Sequence, residues 1–331
     1  MILIITTQND HHTDRVANAL AKRGEDYACL CPSRFPQHIG GTLRFNNEGG
    51  AHTITIDGRE IELGSVTSVW LRRLAPPEPA TDMSEEDQNF VGRESRHFLR
   101  ALWALLKDRF WVNDVDNERC ASWKPFQLRM AEAVGLKIPK TVITNDPDVV
   151  VRFARQCSGD LVYKCLTHCG RLTETSVMGL FTRRITAHQV EAEAHRFQIG
   201  PGILQEYVAK RAELRITVIG AELFVAQLDS QAHSETCDDW RVASHLNISV
   251  PCSQGSVPDH VAVGIRQLMA RLGLVFGCID MIVTPTGEFV FLEINPAGQW
   301  SWIEDLTGFP LADRLADLLI GRGQVAAGRG V

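Results

Sequence analysis

Residues 280–300, DMIVTPTGEFVFLEINPAGQW, decide the fold, because they predict a β-hairpin that carries three oxygen-bearing side chains. The turn sequence Thr-Pro-Thr-Gly separates apolar runs at 275–283 and 289–294, which are typical of strands. The returning strand brings Glu293 beside Asp280. Asn295 shares the face of Glu293, because strand side chains alternate with a period of two.

Two carboxylates and one amide oxygen on a single sheet face predict a site for Mg²⁺. This hard cation prefers oxygen ligands and often binds substrate phosphates as well. The alternative is a surface hairpin with solvated acids. The apolar neighbours of Asp280 and Glu293 favour the metal site, since an exposed strand would carry more polar residues.

The composition describes a globular protein and excludes several classes of partner. Its 331 residues allow two or three compact units, and a hydrophobic content of 44% supports a sizeable core. A net charge of −6 offers no basic surface for nucleic acid, and no apolar run is long enough to span a membrane. Nine cysteines without a recognisable signal peptide favour reduced thiols. We therefore expect a cytoplasmic protein that binds neither nucleic acid nor membrane.

The N-terminal part alternates strands with helices, which is typical of an α/β domain. An apolar run at 2–6 precedes a helical pattern at 14–23. The residues between them lack a glycine-rich phosphate loop, which disfavours dinucleotide binding. We expect His11 and His12 to be solvated or to cap the helix.

Further along this domain, Asp57-Gly58 predicts a two-residue hairpin turn. A strand at 66–71 then ends at Arg72-Arg73, and a long amphipathic helix is predicted at 84–108.

We place domain boundaries near residues 117 and 205. A helix is predicted at 122–134 in the central part. The glycine- and alanine-rich tail, 321–331, is predicted to be disordered.

Two lysines in the central part are candidates for phosphate binding. Lys124 lies near a predicted helix start and Lys164 ends an apolar strand, where a compact cation suits phosphate oxygens. The alternative for each is a solvated lysine. The polar segment 165–184 that follows predicts a flap over a nucleotide or, equally, an ordinary surface loop.

The C-terminal part opens with a predicted hairpin at 213–228, in which Glu213 and Arg215 share a face. Arg241 follows a polar loop at 229–239. Both arginines suit charge stabilisation during phosphoryl or acyl transfer, and the alternative is ion pairing. Just before this hairpin, residues 203–208 are predicted to form a strand that runs into a connection, where main-chain groups suit a flat base edge.

In this order, the residues resemble the motifs of the ATP-grasp ligases. They are most similar to the graspetide synthetases, the ATP-grasp enzymes that mature ribosomally made peptides such as microviridins. The matching stretches are VWLRR (69–73), KPFQLRMAEAVGLKIPKTVITND (124–146), LFTRRIT (180–186), ELRITVIG (213–220), DDWR (238–241) and FLEINPAGQWSWIEDLTGFPLADRLADLL (291–319).

The resemblance implies a mixed α/β (α+β) protein with the ATP-grasp fold. It implies an N-terminal pre-ATP-grasp α/β domain at 1–117, a central lid domain at 118–205 and a C-terminal antiparallel-sheet domain at 206–320. ATP and Mg²⁺ are the implied cofactors. By the same resemblance, Lys124 and Lys164 would contact the phosphates of ATP. Adenine would be held by Glu206, Tyr207 and Val208, and ribose by Glu213. Mg²⁺ would be held by Asp280, Glu293 and Asn295, and the acyl phosphate would lie near Arg215 and Arg241.

The implied activity is macrocyclisation of a precursor peptide that binds through a leader segment. Asp or Glu side chains of the peptide become acyl phosphates, and Ser, Thr or Lys side chains then form esters or amides. We expect Arg72 and Arg73 to bind a substrate carboxylate. We also expect the acidic residues of loop 229–239, including Asp229 and Asp239, to attract a basic leader residue, although a solvated loop is an equal alternative.

Related synthetases suggest a homodimer. Two other functions stay open at this stage, a carboxylate–amine ligase that adds an amino acid to a small molecule or protein terminus, and a nucleotide-binding regulator without catalysis.

Overall fold

The computed structural model describes residues 1–47, 50–157, 159–167, 170–172, 177–179 and 182–327. The helices are α1 (His11–Lys22), α2 (Glu85–Leu105), α3 (Val115–Ala121), α4 (Lys124–Ala133), α5 (Pro147–Gln156), α6 (Ala187–Glu193), α7 (Ala243–Leu246), α8 (Asp259–Leu272), α9 (Ser301–Thr307) and α10 (Leu311–Ala327).

The strands are β1 (Ile2–Ile5), β2 (Tyr27–Leu30), β3 (Ile39–Leu43), β4 (His52–Ile56), β5 (Arg59–Glu62), β6 (Ser68–Leu71), β7 (Phe110–Val112), β8 (Thr141–Thr144), β9 (Leu161–Lys164), β10 (Gly170–Leu172), β11 (Val177–Gly179), β12 (Arg183–Ile185), β13 (Gly202–Glu206), β14 (Ala212–Ile219), β15 (Glu222–Leu228), β16 (Cys252–Gln254), β17 (Phe276–Val283) and β18 (Phe289–Asn295).

A parallel sheet in the order β2-β1-β6-β7 forms the N-terminal part, as its strand–helix pattern predicts. Its two faces are covered by different helices, which explains why its strands are apolar throughout. Leu3 faces a core shared with α2, whereas Ile4 faces a core shared with α1 and α10. The predicted hairpin turn is confirmed, since Asp57 and Gly58 both adopt positive φ, as a type I′ turn requires.

An antiparallel sheet in the order β12-β9-β13-β8 forms the central part, with α5 and α6 against it. The helix predicted at 122–134 is confirmed as α4, which begins two residues later than predicted, at Lys124, after a break that separates it from α3. Pro125 explains the break, since proline is tolerated in the first helical turn but not in the interior. The predicted flap contains the paired β10 and β11, while residues 168–169, 173–176 and 180–181 lie outside the described part.

A five-stranded antiparallel sheet, β16-β15-β14-β17-β18, forms the C-terminal part. The register pairs Asp280 with both Glu293 and Arg215, and Cys278 with Asn295. A bulge opposite Asp280–Met281 leaves Leu292 as the extra residue of β18.

The predicted disordered tail is wrong for 321–327, because α10 continues to Ala327 and residues 328–331 lie outside the described part. The alanines at 326 and 327 favour a helix, because alanine has the highest helix propensity. Within the described residues, no helix combines the length and the apolarity that a membrane span requires.

Candidate active site

A cleft of about 600 Å³ lies between the central and C-terminal sheets. Its walls come from both sheets, from the start of α4 and from the loop that precedes α7. It brings together ten of the residues that the sequence singles out, namely Lys124, Lys164, Glu206, Tyr207, Val208, Glu213, Asp239, Arg241, Asp280 and Glu293.

Cationic side chains surround the acids at one end of this cleft. Lys124 is the first residue of α4, and its Nζ lies 3.2 Å from Glu293 Oε2. Lys164 ends β9 and donates to Gln205 Oε1 at 2.8 Å. Burial lowers the pKa of Lys164 to about 8, although the charge of Glu293 opposes this shift. Among the described residues, no carboxylate forms an ion pair with Lys164, so its amine suits a bound anion.

The two candidate metal-binding acids are paired with cations. Arg215 Nη1 donates to both oxygens of Asp280, at 3.0 and 2.9 Å, and Arg241 Nη1 lies 3.7 Å from Glu293. Burial raises the pKa of Asp280, Arg215 opposes the shift, and the neighbouring charge of Glu293 adds to it. Asn295 does not line the cleft directly, and its Oδ1 accepts the Ala297 N–H at 3.1 Å.

These donors fit Mg²⁺ bound together with phosphates. Across the described residues, no three His, Cys, Asp or Glu side chains come together to hold a metal ion by themselves. Two adjacent carboxylates and an amide oxygen supply hard oxygen ligands, and Mg²⁺ usually completes its shell with phosphates and water. A divalent cation would also relieve the repulsion between Asp280 and Glu293.

The two arginines show the ion pairing that the sequence left as the alternative role. Arg215 is buried and cross-strand paired with Asp280, and its Nη2 donates to the Gln299 carbonyl at 3.2 Å. Burial lowers the pKa of Arg215, but Asp280 and other nearby negative groups more than offset this and raise it. Arg241 donates to both oxygens of Asp239, at 2.8 and 2.7 Å. Both guanidinium groups are thus charged and held beside the candidate metal ligands.

The other end of the cleft offers main-chain groups and a buried ion pair. Residues 206–208 follow the end of β13, where Arg184 stacks over the Tyr207 ring at 4.2 Å. Glu213 is buried, which raises its pKa, and Lys210 opposes this shift by donating to Glu213 Oε1 at 2.7 Å.

Sequence reasoning missed Lys210, Gln205 and Gln299, which also line the cleft or hold its charged groups. Only Gln205 had a signal in the sequence, because it places an amide directly after the apolar residues 203–204.

Five predicted residues do not line the cleft: Arg72, Arg73, Asp229, Asn295 and Arg215, of which Arg215 contacts it through Asp280. Arg72 is only 2% exposed, and Arg73 is an exposed neighbour of Asp10. Asp229 is exposed, whereas Asp239 is buried against Arg241 and the Thr182 N–H.

Comparison with known proteins agrees with the fold. A family model described as the MvdD pre-ATP grasp domain matches residues 1–119. No curated protein matches the chain. A Chryseobacterium gregarium RiPP-associated ATP-grasp ligase, solved in complex with ADP and a leader and core peptide, is 27% identical, with a TM-score of 0.89 over 97% of this chain and 96% of that chain.

Two macrocyclases from Microcystis aeruginosa MRC are also similar. MdnC, solved with the precursor peptide MdnA, is 28% identical over 97% of this chain and 99% of its own, with a TM-score of 0.83. MdnB is 33% identical over 96% of this chain and 98% of its own, with a TM-score of 0.79. An identity of this size over nearly the whole length shows that the chain belongs to the ATP-grasp ligases of the graspetide synthetase family.

Proposed function

We propose that this protein is an ATP-dependent ligase that forms ester or amide crosslinks within a ribosomally made precursor peptide. The observation that carries the proposal is the grouping of Lys124, Lys164 and Arg241 around the adjacent acids Asp280 and Glu293. The relatives that are co-crystallised with precursor or leader peptides support a peptide as the substrate.

The charges of the cleft suit a nucleotide triphosphate. With Arg215, four cationic side chains accompany three carboxylates at this end, Asp239, Asp280 and Glu293, so positive charge remains for phosphate oxygens. Lys124 and Lys164 would bind the phosphates, and Asp280, Glu293 and Asn295 would hold Mg²⁺. When bound, Mg²⁺ would neutralise the phosphates and fix their alignment for in-line transfer.

At the far end, residues 206–208 would hold adenine through their main chain, and Glu213 would bind ribose. Lys210 pairs with Glu213 and opposes the rise of its pKa, which favours the carboxylate form that accepts from ribose hydroxyls. Ile282 and Leu292 supply apolar wall beside them.

The reaction follows from these contacts. A carboxylate oxygen of the peptide attacks the γ-phosphorus of ATP, the bond to the bridging oxygen breaks, and ADP departs. A Ser or Thr hydroxyl, or a Lys amine, then attacks the acyl carbon and loses its proton while phosphate leaves. Arg215 and Arg241 would stabilise the negative charge that develops on the acyl oxygen and on the leaving phosphate. This chain needs no covalent nucleophile.

Exposed charged residues outside the cleft suit contacts with the peptide. Arg73 is exposed and suits a substrate carboxylate, whereas the burial of Arg72 indicates a different role. Asp229 suits a basic leader residue because it is exposed at the start of the acidic loop. Asp239 is committed to Arg241, so we assign it to the cleft.

We further propose the three-domain division at 1–117, 118–205 and 206–320, which the separate sheets support. A homodimer in the cytoplasm is the proposed state. The cysteines of the described part are free thiols, in keeping with a reducing compartment.

The test uses a short peptide encoded beside this chain's gene and rich in Ser/Thr and Asp/Glu. Incubation of the peptide with this protein, ATP and Mg²⁺ should lower the mass of the peptide by one water for each crosslink. Glu293→Ala should keep the fold and abolish this loss. Glu288→Ala is the matched control, because Glu288 lies in the same hairpin but pairs with Lys137 outside the cleft. A mass gain equal to an amino acid, or normal turnover by Glu293→Ala, would disprove the proposal.

A further inference from the structure

The N-terminal part and Arg215 are connected through one backbone segment, residues 295–300 (NPAGQW), here called the bridging loop. Three of its carbonyls accept from side chains that lie far apart in sequence. Asn113 Nδ2 donates to Pro296 O at 3.1 Å, Arg72 Nη1 donates to Ala297 O at 2.8 Å, and Arg215 Nη2 donates to Gln299 O at 3.2 Å. The loop therefore passes from N-terminal anchors to the arginine beside the candidate metal site.

The N-terminal anchors are buried and have partners on several sides. Arg72, His12 and Asn113 are 2%, 1% and 1% exposed. Arg72 Nε donates to Asp10, and Arg72 Nη2 lies 3.1 Å from His12 Nδ1. His12 Nε2 accepts the Trp300 N–H at 3.2 Å, and His12 Nδ1 lies 3.6 Å from Asp10 Oδ1. Groups of this kind form a rigid network, because an unpaired buried polar group is costly.

Asn113 secures the base of the loop to the C-terminal sheet. Its Oδ1 accepts the N–H groups of Val275 and Phe276, at 2.9 and 3.0 Å, while its Nδ2 also donates to the Phe276 carbonyl. One buried side chain thus ties β17 and the bridging loop to the end of the N-terminal sheet.

The other side of the loop packs directly against the reaction machinery. A Cβ added to Gly298 would lie 2.7 Å from Cys278 Sγ and 3.0 Å from Arg215 Nη2. The first distance is shorter than real Cβ contacts allow, so the loop has no room for a side chain between itself and Cys278 and Arg215. A displacement of the loop must therefore move either Arg215 or the carbonyl that orients it.

We propose that Arg72, with His12 and Asn113, acts as a positioning residue that holds the bridging loop so that the Gln299 carbonyl fixes the Arg215 guanidinium for acyl transfer. This assignment rests on the proposed function and replaces substrate binding as the role of Arg72. It predicts that a substitution in the N-terminal part alters acyl transfer in the cleft but leaves nucleotide binding unchanged.

The first test is hydrogen exchange of the amides at 297–300 in Arg72→Lys, measured by mass spectrometry without any peptide substrate. The loss of a hydrogen bond from a charged donor should speed local opening by about tenfold. Arg15→Lys is the matched control, because Arg15 also joins the N-terminal part to the C-terminal part, through Glu304 and Asp305, but does not contact the loop. Unchanged exchange in Arg72→Lys, or equal acceleration in both variants, overturns the proposal.

The second test compares ADP release with crosslink formation in the same variants, using the peptide described above. Arg72→Lys should leave the KM for ATP within about twofold, lower kcat for crosslinking about tenfold and raise the ADP released per crosslink. A purely structural defect would lower both products together and leave their ratio unchanged, which overturns the proposal. Arg215→Lys should raise the same ratio, and combining the two changes should add little.

Gly298→Ala should displace the loop from the side that faces Arg215. It keeps the proposal testable if Arg72→Lys folds poorly. It should reproduce the raised ratio with normal ATP binding, and a wild-type ratio in this variant also counts against the proposal. If the wild-type protein forms no crosslink, the proposed function fails, while the exchange measurement still decides whether Arg72 holds the loop.

Discussion

Removing Lys210 should destabilise the nucleotide cleft, because its partner Glu213 is buried with it. The Lys210 Nζ lies 2.7 Å from Glu213 Oε1, and the two side chains are 4% and 8% exposed. Lys210 also donates to the Asp238 carbonyl at 3.1 Å, so Lys210→Met leaves both a carboxylate and a carbonyl without this donor. Breaking a buried pair by removing one partner typically costs about 3–5 kcal/mol.

Two features place the expected loss near the lower end of that range. The Ser230 hydroxyl also bonds Glu213 and stays in place in the variant. Burial already raises the pKa of Glu213, so the abandoned carboxyl can take up a proton instead of remaining charged. We therefore expect Lys210→Met to lower the free energy of unfolding by about 3 kcal/mol at neutral pH.

The sign of the pH dependence follows from the raised pKa. A carboxyl whose folded pKa lies above its unfolded value binds more protons in the folded state, so stability falls as pH rises through that interval. The deficit of Lys210→Met relative to wild type should accordingly shrink as the pH is lowered from about 8 to about 5.

Urea unfolding followed by circular dichroism measures this deficit, with Lys137→Met as the matched control, since Lys137 pairs with Glu288 at the surface. Replacing both partners, in Lys210→Met/Glu213→Leu, should recover most of the lost stability, because no buried charge is then left alone. The same double variant should lose ATP affinity if Glu213 binds ribose. A Lys210→Met variant within about 1 kcal/mol of wild type would refute the reasoning.

Two further predictions concern other buried groups. Burial raises the pKa of Glu118 to about 8, and its Oε2 has no hydrogen-bond partner among the described residues, so stability should fall as pH rises from about 4.5 to 8. Glu118→Gln should raise the free energy of unfolding by about 1–3 kcal/mol at pH 7 and flatten its pH dependence, as measured by urea unfolding. The exposed control Glu132→Gln should do neither. A pH dependence of Glu118→Gln unchanged from wild type would count against the prediction. Gln205→Glu would give Lys164 a carboxylate partner and should raise the KM for ATP about tenfold. Gln205→Met should raise this KM less. Equal KM values for the two variants in steady-state kinetics would contradict the prediction.

The sequence predicted the acidic half of the site because its geometry is local. A four-residue turn fixes the register of β17 and β18, and the period of two then places Asp280 beside Glu293, as observed. The pairing of Arg215 with Asp280 needed the further knowledge that β14 lies beside β17, which the sequence pattern does not contain.

The contacts of the cationic side chains and of the N-terminal residues were harder to predict, because their partners are distant in sequence. His12 was expected to be solvated or to cap α1, and this was wrong: it is 1% exposed beneath the Trp300 ring, at a centroid distance of 5.1 Å. Nothing within the residues around His12 signals a contact 288 positions away. Arg72 was expected to bind a substrate carboxylate because it matches a motif of the family, and nothing in its local sequence signals its burial beside Asp10 and His12.

The bulge in β18 shows how one irregularity combines two functions on one strand. Strict alternation would put Leu292 and Glu293 on opposite faces of the sheet, yet both line the cleft. The extra residue lets Glu293 stay in register with Asp280 while Leu292 joins Ile282 in the apolar wall. A strand with the same composition but without the bulge would turn one of these side chains away from the cleft. The site therefore depends on a register shift that no count of apolar and polar residues reveals.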